Sequence, residues 1–229
     1  LHVLTHSFPT RRSSDLFSLN SLLDLLHLIK CWLVNFSSRF NVRSMNADID
    51  LSKAHLQTER LELRPFVLSD LDDFYAYASV PDVGEWAGWS HHKNKEESLK
   101  ILEHFIAEKK TFALVDKATK RVIGSLGIEE YHCTLPAKYE NLRGREIGYV
   151  LSKAYWGKGL MTEAVKAVIA YCFNDLHLDF LTIAHFARNK RSERVILKCG
   201  FIYVGNDIYE TRYGTKEDDR YYVLDNPNR

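Results

Sequence analysis

Tyr155-Trp-Gly-Lys-Gly-Leu-Met-Thr-Glu-Ala164 is the stretch on which the reading of this chain turns. An apolar run, Ile147-Gly-Tyr-Val-Leu151, precedes it. An amphipathic pattern follows, with Met161, Val165, Val168 and Cys172 on one stripe. This order predicts a strand, a glycine-bearing turn and a helix N-terminus. The first N–H groups of a helix have no partner inside it, and the aligned peptide dipoles add partial positive charge there. Together they suit an anion, most often a phosphate. Neither familiar nucleotide signature fits. A P-loop needs G-x-x-x-x-G-K-[ST], and a dinucleotide fingerprint needs a third glycine where Thr162 stands.

Working outward, the bulk composition narrows the partners. The chain has 229 residues, 45% hydrophobic and 27% charged, which suits a single globular domain with an appendage. A net charge of +1 gives no electrostatic case for nucleic acid. Cys31, Cys133, Cys172 and Cys199 are widely spaced and form no C-x-x-C pair, so they signal neither zinc nor a disulfide framework. Thiols of this kind belong to a reducing compartment, here the cytoplasm. The adjacent His91 and His92 are poorly placed to share one metal ion, and no metal is expected.

Residues 1–44 read differently from the rest. The Leu-rich stretch 17–36 is interrupted by Asp24, His27 and Lys30, too often for a spanning helix, so no membrane is expected. No Ala-x-Ala cleavage site follows it. His6-Ser-Phe-Pro-Thr-Arg-Arg-Ser-Ser-Asp-Leu16 looks like the translation of a common sequencing-adapter oligonucleotide. The expectation is a non-native leader over 1–44, adapter-like at 6–16 and translated upstream DNA at 17–44. The natural protein is expected to begin at Met45, with 45–229 as one domain. Removing the five basic and two acidic residues of 1–44 from the 31 and 30 of the whole chain leaves a net charge of −2, which favours neutral or basic substrates.

Within 45–229, alternation and turn signals predict strands at 56–64, 111–115, 122–128, 146–151, 180–186, 201–213 and 220–224. Helices are predicted at 69–79, 95–109, 158–173 and 189–199, the last closed by Gly200. The polar stretch 131–145 reads as a loop over a site. Mixed helices and strands in this order argue an α/β or α+β fold with a mostly antiparallel sheet.

Three segments together resemble the GNAT superfamily of N-acetyltransferases, in particular its ribosomal-protein N-terminal acetyltransferase branch. They are Thr58-Glu-Arg-Leu-Glu-Leu-Arg-Pro65, Glu146-Ile-Gly-Tyr-Val-Leu-Ser152 running into Tyr155–Ala164, and Asn189-x-x-Ser192-x-x-Val195-x-x-Lys198-x-Gly200-Phe201. The resemblance spans roughly 56–224. It implies a bacterial acyltransferase of the GNAT-type fold, with splayed central strands and acetyl-CoA as cosubstrate. The pyrophosphate would lie on the N–H groups of Gly157, Lys158, Gly159, Leu160, Met161 and Thr162. The superfamily's Q/R-x-x-G-x-G/A pattern falls on 156–161 and departs at both ends, with Trp156 and Met161. Lys158 is open between a phosphate contact and an exposed helix-start lysine. Tyr149, Val150 and Leu151 occupy the splayed strand whose unpaired backbone groups would take the pantetheine arm.

Acetyl transfer to an amine requires removal of a proton from the amine, stabilisation of the thioester oxygen and protonation of the thiolate. The resemblance places Glu146 at the first task, as a general base; the alternative is an exposed strand-end acid near Arg143 or Arg145. Backbone N–H groups of Val150 or Leu151 would polarise the carbonyl. The tyrosine that many superfamily members use for the thiolate is Ile196 here. Ser192 would lie near the sulfur instead, or only satisfy local backbone. Asn189 would hold pantetheine, cap a helix, or both. Trp86, Trp89, Tyr131 and Tyr139 fall in segments that border the acceptor in this family. Cys199 reads as core rather than nucleophile. The expected acceptor is a primary amine, such as the N-terminus of a ribosomal protein. A small amine (polyamine, amino acid or antibiotic) and a catalytically weak acyl-CoA sensor are the alternatives. Monomer and homodimer are both open.

Overall fold

The structure is a computed structural model that describes residues 46–229. The expectations for 1–44 and Met45 lie outside the described residues. Eight strands form one sheet in the order β1-β2-β3-β4-β5-β6-β8-β7. They are β1 (Leu56–Gln57), β2 (Leu61–Pro65), β3 (Thr111–Asp116), β4 (Val122–Glu129), β5 (Gly144–Leu151), β6 (Phe180–Phe186), β7 (Ile202–Glu210) and β8 (Lys216–Asp225). All neighbouring strands are antiparallel except β5 and β6. Among the described residues four α-helices cover the faces: α1 (Leu71–Ala78), α2 (Lys95–Glu108), α3 (Leu160–Asn174) and α4 (Lys190–Lys198).

The strand expected at 56–64 is a short hairpin. Thr58 Oγ1 accepts from Leu61 N–H at 2.9 Å and lies 3.1 Å from the Leu61 carbonyl, which folds the chain back between β1 and β2. Pro65 ends β2 rather than lying beyond it, pairing with Phe112 as the last register position. The start of β8 at Lys216 takes in residues that read as a polar turn, because Lys216 and Glu217 pair with Glu210 and Tyr209 on β7.

The two faces of the sheet carry separate cores. On one, Met161, Val165, Val168 and Cys172 of α3 pack on Leu61, Leu63, Phe112, Leu126, Ile128 and Ile147, all buried, with Ile196 of α4 alongside. Full burial of a Val or Leu side chain contributes about 1.5–3 kcal/mol, so this stripe fixes α3 to the sheet. On the other face Phe74, Tyr77 and Leu102 of α1 and α2 meet Ala113 and Val115. Asn94 caps α2 by accepting from Glu97 N–H at 2.9 Å.

The feature that positions the site is a fork. β5 and β6 pair only from Gly144↔Phe180 to Ile147↔Ile183. Beyond Ile147, β5 keeps its register with β4 as far as Gly124↔Leu151, while β6 keeps β8 as far as Phe186↔Asp219. The edges of β5 and β6 that face each other there have no partner strand. The expected splay of the central strands is thus present.

Candidate active site

A cleft of about 560 Å³ opens at the fork. Glu146, Tyr149, Val150, Leu151, Gly157, Gly159, Leu160, Met161, Thr162, Asn189 and Ser192 all line it. These residues come from β5, the turn before α3, the first turn of α3, and the N-cap and first turn of α4. Lys158 does not line the cleft. Its ammonium lies 4.8 Å from the Tyr155 ring centroid, and its carbonyl accepts from Arg60 Nη1 at 2.9 Å.

The turn is built for an open approach. Gly157 and Gly159 have φ of +77° and +79°, the left-handed region that favours glycine. A Cβ at Gly157 would meet nothing within 4 Å. Gly159 is the N-cap of α3 and supplies no side-chain cap, so the first-turn donors face the cleft without an intramolecular acceptor. The turn is clamped from behind. Glu163 accepts from Thr58 Oγ1 at 2.6 Å, from Arg60 N–H at 2.8 Å and from Arg60 Nε at 2.8 Å. The first and second motifs noted in the sequence are therefore in contact. At position 156, Trp156 Nε1 donates to the Leu151 carbonyl at 2.8 Å and closes the turn against the end of β5.

Glu146 stands at the fork, in register with Thr182 and Glu129. Thr182 Oγ1 donates to Glu146 Oε2 at 3.1 Å. Burial pushes its carboxyl up to about 7, against the Thr182 hydrogen bond, with Asp219 and Glu129 adding to the rise. Neither nearby arginine neutralises it. Arg143 Nη1 donates to the His177 carbonyl at 3.4 Å, and the buried Arg145 donates to the Ala47 carbonyl. Asp219, in β8 where its pairing with β6 ends, also lines the cleft and is buried; its carboxyl is pushed up to about 6 by that burial.

At the other side of the cleft, Asn189 caps α4 by accepting from Ser192 N–H at 3.2 Å. Ser192 Oγ lies 2.8 Å from the Tyr149 hydroxyl, whose own ionisation is pushed up by burial. The Cys199 thiol is pushed up to about 11 by burial, which suits a packed residue rather than a nucleophile.

Of the four aromatics read as bordering an acceptor, Trp86 and no other lines the cleft. Trp89 packs beside His92, with ring centroids 5.1 Å apart. Tyr131 and Tyr139 are buried against Phe180, at 5.4 and 4.8 Å between centroids. The stretch 131–143 therefore covers the far end of the sheet and not the cleft; its aromatics found an apolar partner in Phe180. Among the described residues no group of three or more His, Cys, Asp and Glu side chains is placed to hold a metal. His91 meets Glu85 at 2.7 Å and His92 meets Ser98 Oγ at 2.7 Å.

Sequence reasoning missed Asp219, Glu129, Arg191 and the hydroxyl of Tyr149. Asp219 and Glu129 reach the site through sheet register, for which the sequence holds no local signal. Arg191 had one: it sits beside Ser192 in the third motif.

A forked sheet, a left-handed glycine turn opening a helix and a carboxylate at the fork define an acyltransferase class, and comparison with known proteins agrees. The chain belongs to the GNAT acetyltransferase family: residues 60–202 match the family described as "Acetyltransferase (GNAT) domain". It is an N-acetyltransferase. It is 29% identical over 178 residues to "Uncharacterized N-acetyltransferase YoaA" of Bacillus subtilis, covering 75% of this chain and 97% of that protein. Its fold is similar to that of the ribosomal-protein-S5-alanine acetyltransferase from Vibrio fischeri, with a TM-score of 0.60, 22% identity and coverage of 77% and 98%. It is likewise similar to spermidine N-acetyltransferase from Vibrio cholerae, solved with CoA and spermine, with a TM-score of 0.60, 18% identity and coverage of 73% and 96%. Among the described residues no helix is long and apolar enough to cross a membrane.

Proposed function

We propose that this enzyme transfers the acetyl group of acetyl-CoA directly to a primary amine, such as the N-terminus of a ribosomal protein, in the cytoplasm. The observation that carries the reading is Glu146: a carboxylate poised near neutrality at the fork of β5 and β6, with no facing cation among the described residues. Gly157, Gly159 and the first-turn N–H groups of α3 receive the pyrophosphate. The free edge of β5 at Tyr149, Val150 and Leu151, with Asn189 across the cleft, holds the pantetheine arm.

Glu146 takes a proton from the bound ammonium, directly or through water, which frees the nitrogen lone pair. The nitrogen then forms a bond to the thioester carbon, and backbone N–H of β5 stabilises the charge on oxygen. The C–S bond breaks. The attacking nitrogen loses its second proton as that bond breaks, and the proton passes through the Ser192 hydroxyl, hydrogen-bonded to Tyr149, to the departing sulfur. Raised carboxyl pKa values suit this order, because a base near neutrality accepts a proton at working pH without being permanently occupied.

A second acceptor class, a small cationic amine, is favoured by Asp219 and Glu129 beside Glu146 in the cleft wall. The deciding experiment measures thiol release from acetyl-CoA with a panel of peptides and small amines. Turnover on peptides bearing a free N-terminus supports the leading reading, and turnover confined to polyamines or amino acids supports the second. Tight CoA binding with no turnover on any amine would replace both with an acyl-CoA sensor.

A further inference from the structure

We propose that Arg191 is a phosphate-binding residue, its guanidinium held by Trp156 and Trp86 to grip the pyrophosphate of coenzyme A above the glycine turn. The proposal rests on the acetyl-CoA reading above. Its origin is the departure at position 156, where proteins of the resembling pattern carry Gln or Arg and this chain carries Trp. The Trp156 indole N–H is spent on the Leu151 carbonyl, so that side chain offers the ligand no charge. Its ring does something else. The Arg191 guanidinium carbon lies 4.1 Å from the Trp156 ring centroid and 4.9 Å from that of Trp86.

Both tryptophans and Arg191 line the same cleft as Gly157 and Gly159. The two rings pack against the guanidinium and restrict its movement. A guanidinium carries its N–H donors in its own plane, and among the described residues none of those of Arg191 meets an acceptor. The contrast with its neighbours is chemical. Arg188 lies 4.2 Å from the same Trp86 ring, but it is forked onto Glu217 at 2.8 Å from two nitrogens. Arg60 is committed to Glu163 at 2.7 Å. Arg194 and Lys198 also line the cleft, but no ring contact orders them, so each would lose more side-chain freedom on binding. A planar fork packed against two rings, with uncommitted donors, matches the oxygens of a phosphate. The charge lacking from the turn at position 156 is thus returned from α4.

The test compares wild type, R191A and R191M, the last keeping an apolar stem against the rings. CoA and 3′-dephospho-CoA are titrated by calorimetry, and pantetheine by NMR, which reads millimolar affinities. The expected result is that both variants weaken CoA and dephospho-CoA by about 10-fold while pantetheine affinity is unmoved. Unchanged CoA affinity in both variants overturns the proposal. So does an equal loss for pantetheine, which would make Arg191 a strut between two loops. A loss seen with CoA but not with dephospho-CoA moves the contact to the 3′-phosphate and overturns the pyrophosphate assignment. Wild type that binds CoA no more tightly than pantetheine overturns the acetyl-CoA reading as well.

Discussion

Glu146 faces Thr182, Glu129 and Asp219 and, among the described residues, no lysine or arginine. A carboxyl in that setting holds its proton to about 7, well above its ordinary 4.5. Two consequences separate catalysis from stability. As the base, Glu146 must begin unprotonated, so kcat/KM of the wild type should rise with pH through an apparent pKa near that value. E146Q should lower kcat by about 10²–10⁴-fold, lose that rising limb and leave CoA affinity unchanged; steady-state rates from about pH 5 to 9 check it, and an unaltered rate removes Glu146 from the mechanism. The stability sign is fixed by linkage. The folded state binds the Glu146 proton more tightly than the unfolded chain, so this group's contribution falls as pH rises from its ordinary value through about 7. Glutamine carries no charge to bury. The melting temperature of E146Q should therefore exceed that of the wild type on the alkaline side, and the gap should close on acidification; a gap that is constant with pH would mean that Glu146 is solvated at the fork.

At the scale of elements, the turn into α3 is a left-handed pair of glycines held from behind by Thr58 and Arg60 through Glu163. A β-branched residue at Gly159 meets two obstacles: the +79° φ, which costs about 1–2 kcal/mol for a residue with a Cβ, and a Cβ that would lie 3.7 Å from Arg60 Nη2, crowding the clamp that holds the turn. G159V should weaken CoA binding by about 10-fold or more with α3 still folded, read by calorimetry and circular dichroism. Intact CoA affinity would mean that the phosphate does not lie on this turn. Most elements were legible because they follow local rules: the α3 stripe of Met161, Val165, Val168 and Cys172 is buried as its spacing predicts, and Asn189 caps where its type predicts. The glycine turn, Glu146 and Ser192 were legible as residues and come together in one cleft. What was not legible depends on through-space register. The Tyr149–Ser192 contact, Asp219 beside Glu146 and Arg191 over Trp156 each join segments distant in sequence. The break between β1 and β2 was hidden for a local reason: Thr58 closes a turn with its hydroxyl, a use that alternation does not report.

At the scale of the whole molecule, the sheet is two sets of strands, β1–β5 and β6–β8, joined edge to edge by the short parallel pairing that ends at Ile147↔Ile183. Past that point the cleft replaces the hydrogen bonds one strand would give the other. A ligand arm seated there contacts both sets: Tyr149, Val150 and Leu151 on one side, Ala184, His185 and Asn189 on the other. CoA should accordingly stabilise the protein as a unit. At a ligand concentration about 100 times Kd, linkage gives about 2.7 kcal/mol, which for a domain of this size corresponds to a rise in Tm of about 5–10 °C. The rise should appear as one cooperative transition in differential scanning calorimetry. Hydrogen exchange should slow at 148–151 and at 184–186 together, because a bridging arm ties down both free edges. Protection confined to β5, or a second transition that CoA leaves in place, would show that the ligand rests on one set of strands, and the fork would then be a structural gap rather than the seat of the pantetheine arm.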